Sequence, residues 1–444
     1  MTAETVSPER SWLYHPVFPE SWEPHVLYSL AAWINGMAFK DINFTPTGRP
    51  VIKIAEIKGG ITAQTQFTDS EYDERYFITR GDMLFSWSGQ PETSIDAFYW
   101  DGPDGWLNQH VFKVLPDDDA CTPSFLYYIL KYLKPNFIGI ARNKQTTGLG
   151  HVTKADMQAI HVRIPDRPTQ DRITHVLSKL DARIDVNRRM NRTLEKMAAA
   201  IFKSWFIDFD PVHAKAEGRA PCLPVEIADL FPDTFEDSDL GPIPKGWKVG
   251  SLGDVADSPR RGVNPSDVPP TTPYIGLEHM PRRCIALDAW GRALDVASGK
   301  SQFKQGEIMF GKLRPYFHKV GIAPMDGVCS TDIVVVKPKS QDWHGYVISL
   351  VSSKAFVDYT DSHSAGTKMP RTNWKDMSRY PLTLPPLSVA KAFQSHVADF
   401  HRRIMLNVRQ DRRLAVLRDA LLPKLMSGEI EVCDFVIIGK EVEA

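Results

Sequence analysis

Apolar residues recur at Ile173, Leu177, Leu180, Ile184, Leu194, Met197 and Ile201, and Asn187 takes one place in the same series. Steps of four and three alternate along it, which is the spacing of one stripe on an α-helix and fits a coiled-coil heptad better than a lone amphipathic helix. The pattern returns without a gap 220 residues later, at Phe393, Val397, Phe400, Ile404, Asn407, Leu414, Leu417 and Leu421. Two long helices are therefore predicted, and each is the natural partner of the other. Their seam is expected to set Leu180, Ile184, Asn187 and Leu194 against Phe400, Ile404, Asn407 and Leu414. Asn187 and Asn407, with Asn191 and Asp411 one step on, are polar at seam positions, which costs stability and fixes register or orientation.

The flanks agree. Pro165 and Pro168 open the first helix, Pro385 and Pro386 the second, and proline suits a first turn because its missing N–H had no partner there. The first stops before Pro211 and the second before Gly428. Each then spans roughly 40 residues, or about 60 Å at about 1.5 Å per residue. The outer faces, Trp205 and Phe206 among them, are candidates for interface rather than core.

The repetition reaches upstream of the helices. FPESWEPHVL (18–27) matches IPKGWKVGSL (243–252), and RGDMLFS (80–86) matches QGEIMFG (305–311), both at a shift of 225. VIKIAEI (51–57) answers YIGLEHM (274–280), and NQHVFKVLP (108–116) answers TDIVVVKP (331–338). The repeating unit is a whole domain plus a helix. Short β-branched and aromatic runs broken by glycine, proline and aspartate predict an α+β domain with a curved, mostly antiparallel sheet and one clear helix per copy, at 123–133 and 343–353. A loop rich in glycine, threonine and basic residues closes each copy (141–154; 364–375). Trp22 and Trp247 are expected as core anchors.

The division expected is a first domain at 1–164, a helix at 165–208, an extended acidic linker at 209–242, a second domain at 243–384, a second helix at 385–427 and a tail at 428–444. Antiparallel helices would place the two domains at opposite ends and inverted. The rods then act as a ruler, and a ligand engaging both domains needs two sites at a fixed separation, as DNA half-sites have.

Composition changes little in this picture. With 43% hydrophobic and 24% charged residues in 444, the chain is an ordinary soluble one with room for two or three domains. No apolar run of about 18 residues and no basic-then-apolar leader is present, so the expectation is a cytoplasmic protein with no membrane partner. Five scattered cysteines, never CxxC, argue for reduced thiols and against zinc. Net charge is −1, but acid concentrates at 69–119 and 217–239, and base at 260–319 and in both helices, so a basic face is available.

The order domain, helix, domain, helix, with IPKGW, YIGLEHM, QGEIMFGKLRPY, the SAGTKMPRTNWKDM loop, and WFIDFDPVHAKAEGR and LFPDTFEDSDLGPIPKGW in the connector, resembles the specificity subunit of type I restriction-modification systems. The likeness covers about 22–429. It implies two target-recognition domains reading a bipartite, asymmetric double-stranded DNA target and helices that space them. It also implies docking surfaces for two modification (methyltransferase) subunits and, through them, motor-nuclease restriction subunits. This subunit would be non-catalytic and hold no cofactor or metal. S-adenosylmethionine, ATP and Mg²⁺ are expected in its partners, where the assembly acts as an adenine methyltransferase and ATP-dependent endonuclease. The first copy lacks KxRPY after RGDMLFS, carrying WSGQPE instead.

Candidate DNA-contacting residues follow. Lys312 and Arg314 in GKLRPYF sit after a strand, with Pro315 holding the turn; arginine pairs with guanine O6 and N7, and lysine more often meets phosphate. Lys368 and Arg371 in the late loop, and Arg142, Lys144 and Gln145 in its first-copy counterpart, are glycine-flanked and polar as a groove-reading loop should be. Asn108, Gln109 and His110 complete the set. Three other readings compete with this one. Asp41, Glu56 and Lys58 imitate a metal-dependent nuclease constellation, but the usual preceding proline is absent and the second copy has Met280 in place of the lysine. A non-enzymatic coiled-coil interaction scaffold explains the helices and leaves the basic loops unexplained. A stand-alone DNA-binding regulator lacks an evident helix-turn-helix.

Overall fold

A computed structural model describes residues 16–39, 42, 44–62, 64–144, 149–366 and 369–432. The chain forms two compact units, one made of everything up to Asp181 plus the segment from Val416 on, the other of Ala182–Ala415.

In the first unit, strand Glu23–Val26 pairs antiparallel with His161–Ile164, tying the domain's start to its end just before the long helix. An antiparallel sheet runs in the order Ala31–Asn35, Val111–Pro116, Met83–Ser86, Asp96–Tyr99. A smaller sheet runs Phe67–Thr68, Arg49–Ile52, Gly105–Leu107, Phe77–Ile78, and its central pair is parallel, with Val51 opposite Trp106. Helices Pro123–Tyr132 and Lys134–Asn143 cover the larger sheet, so that Phe85, Phe125, Ile129 and Phe137 share one core. The Thr122 hydroxyl accepts the Phe125 N–H at 3.1 Å and caps the first of them.

The second unit repeats this plan. Lys248–Ser251 pairs with Pro381–Leu384. Ala256–Asp257, Ile333–Pro338, Ile308–Gly311 and Val320–Ile322 form the four-stranded sheet, and Tyr274 lies parallel to Val328 in the second one. Helices His344–Val351 and Lys354–Ser362 match the first unit's pair. Gly81 and Gly306, aligned by the shift of 225, have φ of 96° and 84° at the turn entering the central strand. An added Cβ at either meets nothing within 4 Å, so the requirement is conformational rather than steric.

The long helices are Arg167–Phe206 and Leu387–Met426, 40 residues each. In the second unit Asn187 meets Gln410 and Asp411 while Asn191 meets Asn407, so one number rises as the other falls and the pair is antiparallel. In the first unit the Arg418 guanidinium reaches Asp181 at 2.6 Å, continuing the same sense. Ile184, Asn187, Ile404 and Asn407 are buried.

Several expectations need correction. Met197 and Leu417, expected on the seam stripe, are 45% and 47% exposed, whereas Leu180, Leu194, Phe400 and Leu414 are half-buried, with Leu194 and Phe400 packed on the second unit's core. Ala198 and Phe202 are the residues buried there, which shifts the contact face by one position. Trp205 and Phe206 are core, packed on Phe231, Phe393 and Trp247. The connector is not wholly extended, because Asp210–Ala216 is helical, opened by Pro211 and held by Lys215 donating to the Ala228 and Phe231 carbonyls. Each domain carries two adjacent helices where one was expected, and beside its antiparallel four-stranded sheet a second sheet contains one parallel pair.

Candidate nucleic-acid interface

The best-defined site grows from the end of strand Ile308–Gly311 in the second unit. The Lys312 N–H donates to the Asp332 carbonyl at 2.9 Å, the Thr372 N–H to the Lys312 carbonyl at 3.1 Å, and the Arg314 N–H to the Pro370 carbonyl at 2.7 Å. With Leu313 bridged to Arg371, these bonds clamp the KLRPY turn against the late loop. Residues 56 to 60 positions apart in the chain thus share one surface.

Arg314 holds φ 51° and ψ 66°, a left-handed conformation costing roughly 1–2 kcal/mol for a residue with a Cβ. Pro315 follows it and starts the short turn Pro315–Phe317, closed by Phe317 N–H to the Arg314 carbonyl at 2.9 Å. Three of the four non-glycine residues with positive φ among those described gather here: Arg283, Arg314 and His318. Arg283 N–H donates to the His318 carbonyl at 2.8 Å, locking two of them together. Backbone strain of this kind persists only where the surrounding structure over-determines it.

The charges sit around Phe317. The Arg282 guanidinium lies 4.1 Å from the ring centroid and that of Arg314 5.9 Å. Arg314 Nε is buried and has no hydrogen-bond partner. Burial, then the charge of Arg282, holds the Lys319 ammonium below its ordinary range, and that ammonium donates to the Leu277 carbonyl. Arg371, exposed, reaches Asp332 at 3.5 Å. Lys312 is half-exposed, and among the described residues no carboxylate pairs with it. Tyr316 is 41% exposed beside it. The arrangement can neutralise phosphates and offer a guanidinium edge to a base.

The first unit builds the same clamp with other residues. Ser88 pairs with His151 and Gly89 with Gly150, the places of Leu313 and Arg371 under the two shifts. The Trp87 indole donates to Asn35 at 3.0 Å and lies 5.8 Å from the exposed His110 ring. Gln109 Nε2 is 3.3 Å from His110 Nε2. Other candidates are committed elsewhere. Asn108 is buried, and its backbone lies so close to Gly36 that a Cβ there would meet the Asn108 oxygen at 2.2 Å. Arg142 pairs with Glu92 at 2.5 Å, and Lys144 places its ammonium 2.6 Å from both oxygens of Asp156. Asp156 in turn caps its helix at Thr153, so Lys144 serves that cap. Gln145 and Lys368 lie outside the described residues, as does Asp41 of the nuclease-like set. Of that set's other members, Glu56 is buried and accepts from the Lys53 N–H and the Thr65 hydroxyl, and Lys58 donates to the Thr93 carbonyl.

Arg282, Phe317 and His151 escaped the sequence reading. The doubled basic pair at 282–283 was the available signal for the first; the other two are recognisable only once the clamp is seen.

A tandem duplication of one α+β module, each copy joined to a long helix and each carrying a clamped surface turn, is the class this architecture defines. The model of the type I restriction modification DNA specificity domain matches residues 19–196 and 244–408, and the chain belongs to that family. Among curated relatives, the type I restriction enzyme HindI specificity subunit of Haemophilus influenzae is 24% identical over 80% of this chain and 87% of its own. The MjaIX specificity subunit of Methanocaldococcus jannaschii is 25% identical over 88% and 92%. Among solved structures, a type I restriction-modification S subunit from M. genitalium is similar with a TM-score of 0.49 and 15% identity, covering 93% of this chain and 97% of that one. The function that follows is DNA recognition for a type I restriction-modification system.

Proposed function

We propose that each of the two domains reads one half of a bipartite, asymmetric duplex sequence, and that the chain itself performs no chemistry. Its partners are two methyltransferase subunits and motor-nuclease subunits in the cytoplasm. S-adenosylmethionine, ATP and Mg²⁺ are bound by them and not by this chain. No helix among the described residues is long and apolar enough to cross a membrane.

The observation that carries the DNA reading is the Arg314 turn, a strained, clamped, cationic surface whose buried Nε lacks a protein partner. A coiled-coil scaffold has no use for strain there. Docking is supported by Val186, Met190 and Met197, exposed at steps of four and seven along one helix, and by Leu406, 50% exposed on the other. The test is competition binding in the presence of the methyltransferase subunit, with oligonucleotides altered in one half-site or the other. Arg314→Ala should abolish discrimination at one half and leave the other intact. Equal loss at both halves would contradict the division of labour.

A further inference from the structure

The two clamps share a backbone frame, and the charged side chains of the second are missing from the first. The Trp87 N–H donates to the His110 carbonyl at 3.4 Å as Lys312 does to Asp332, and the Val152 N–H to the Trp87 carbonyl at 2.8 Å as Thr372 does to Lys312. Trp87 therefore stands where Lys312 stands, Gly89 where Arg314 stands and His151 where Arg371 stands. Gly89 shares the positive φ of Arg314, at 128°, and an added Cβ there would meet the Ser94 Cβ at 2.6 Å, so no side chain can take the place of the guanidinium. Arg142 and Lys144 of the late loop are bound to Glu92 and Asp156. With no lysine or arginine at these three positions, the first clamp has hydrogen bonds to work with rather than charge.

Those bonds run in a chain that ends at Gln109. The Trp87 indole donates to Asn35 Oδ1 at 3.0 Å, which fixes the indole ring, and that ring lies 5.8 Å from the ring of the exposed His110. Gln109 Nε2 is in turn 3.3 Å from His110 Nε2. An amide nitrogen has no lone pair to accept with, so Gln109 donates and His110 accepts. Among the described residues nothing else bonds this amide. One of its hydrogens is spent on the ring, and what the side chain has left is one N–H donor and the Oε1 acceptor. Of the four bases, adenine alone presents the complement of that pair in the major groove, N7 as acceptor beside the N6 amino donor; guanine presents two acceptors there.

We propose that Gln109 is the specificity-determining residue of the first domain and pairs with an adenine of its half-site, held in position by His110, Trp87 and Asn35. This rests on the reading that each domain takes one half of the target. The two readers then differ in kind: the second domain meets its half with guanidinium and ammonium groups, and the first with an oriented amide.

Competition binding by the full chain with its methyltransferase subunit tests this. The duplexes carry 7-deazaadenine, whose position 7 is a C–H, in place of each adenine in turn in the half-site that Arg314→Ala leaves intact. One replacement should weaken binding by the parent about tenfold and binding by Gln109→Ala not at all. Gln109→Ala should melt as the parent does and lose discrimination at that half alone. Gln109→Glu, which keeps the shape and removes the donor, should lose it too. The assignment is overturned if no replacement weakens the parent, if every replacement weakens both proteins equally, or if Gln109→Ala keeps full discrimination; the division between two readers would still stand on the Arg314→Ala result. Equal loss at both halves in Arg314→Ala would overturn that division and this assignment with it.

Discussion

Asn187 Nδ2 donates to Asp411 Oδ1 at 2.6 Å across the helix pair, and both residues are buried. Asn407 reaches Asn191 at 2.8 Å one turn away, so two polar rungs lie side by side where leucine would pack more tightly. Such rungs select one register, since a slip along the helix strands every member without a partner. Asn187→Ala leaves the Asp411 carboxylate short of a donor and should cost about 1–3 kcal/mol in urea unfolding.

Asp411 gives this seam a pH dependence. Burial raises its pKa, and Oδ2 has no partner. The folded state therefore binds the proton more readily than the unfolded one. This contribution to stability is full below the ordinary aspartate range and falls as pH rises through the raised value. Asp411→Asn should stabilise the protein at neutral pH and flatten that part of the curve. Urea midpoints across the acidic range, compared between the two proteins, report it.

Arg314 separates fold from function. Glycine takes the left-handed conformation without the steric cost, so Arg314→Gly should be no less stable than the parent and up to about 1 kcal/mol more so. The same change removes the guanidinium and should erase discrimination at one half-site. A protein that melts normally yet reads only one half is the expected outcome.

Two lysines at corresponding surfaces should behave differently. Lys312→Ala removes a phosphate-seeking charge and should lower the slope of log affinity against log salt by about 1. Lys144→Ala should leave that slope alone and cost about 0.5–1 kcal/mol of stability, since its ammonium holds Asp156 at a helix cap. Salt titrations of both variants distinguish the roles.

In the first unit Asp181 accepts from Arg418 at 2.6 Å and from the Tyr128 hydroxyl at 2.7 Å. Asp181→Ala takes the acceptor from the Tyr128 hydroxyl and leaves Arg418 with Asp419 alone, and a loss of about 1–3 kcal/mol is expected. Adding Arg418→Met should recover part of it, a non-additivity that a double-mutant cycle reads directly.

Much of this was legible in the chain. Heptad spacing is local, and the shifts of 220 and 225 carried the duplication, which the matching strands Met83–Ser86 and Ile308–Gly311 display. The family followed from motif order. What escaped was set by distant partners. Arg142 and Glu92 are 50 residues apart and Lys144 and Asp156 twelve, so nothing in the loop itself disclosed that its cations were already engaged. The helix Asp210–Ala216 was hidden by the prolines around it, although Pro211 sits where a helix start tolerates one. Exposure of Met197 and burial of Ala198 reflect a drift of one position, which a hydrophobicity pattern cannot resolve when the smaller residue is the buried one.

Methylation mapping across a genome carrying this chain with its methyltransferase subunit tests the central claim most directly. Two domains that each read a half-site predict modified adenines in one asymmetric motif of two specified parts separated by unspecified bases. A continuous or palindromic motif would contradict it.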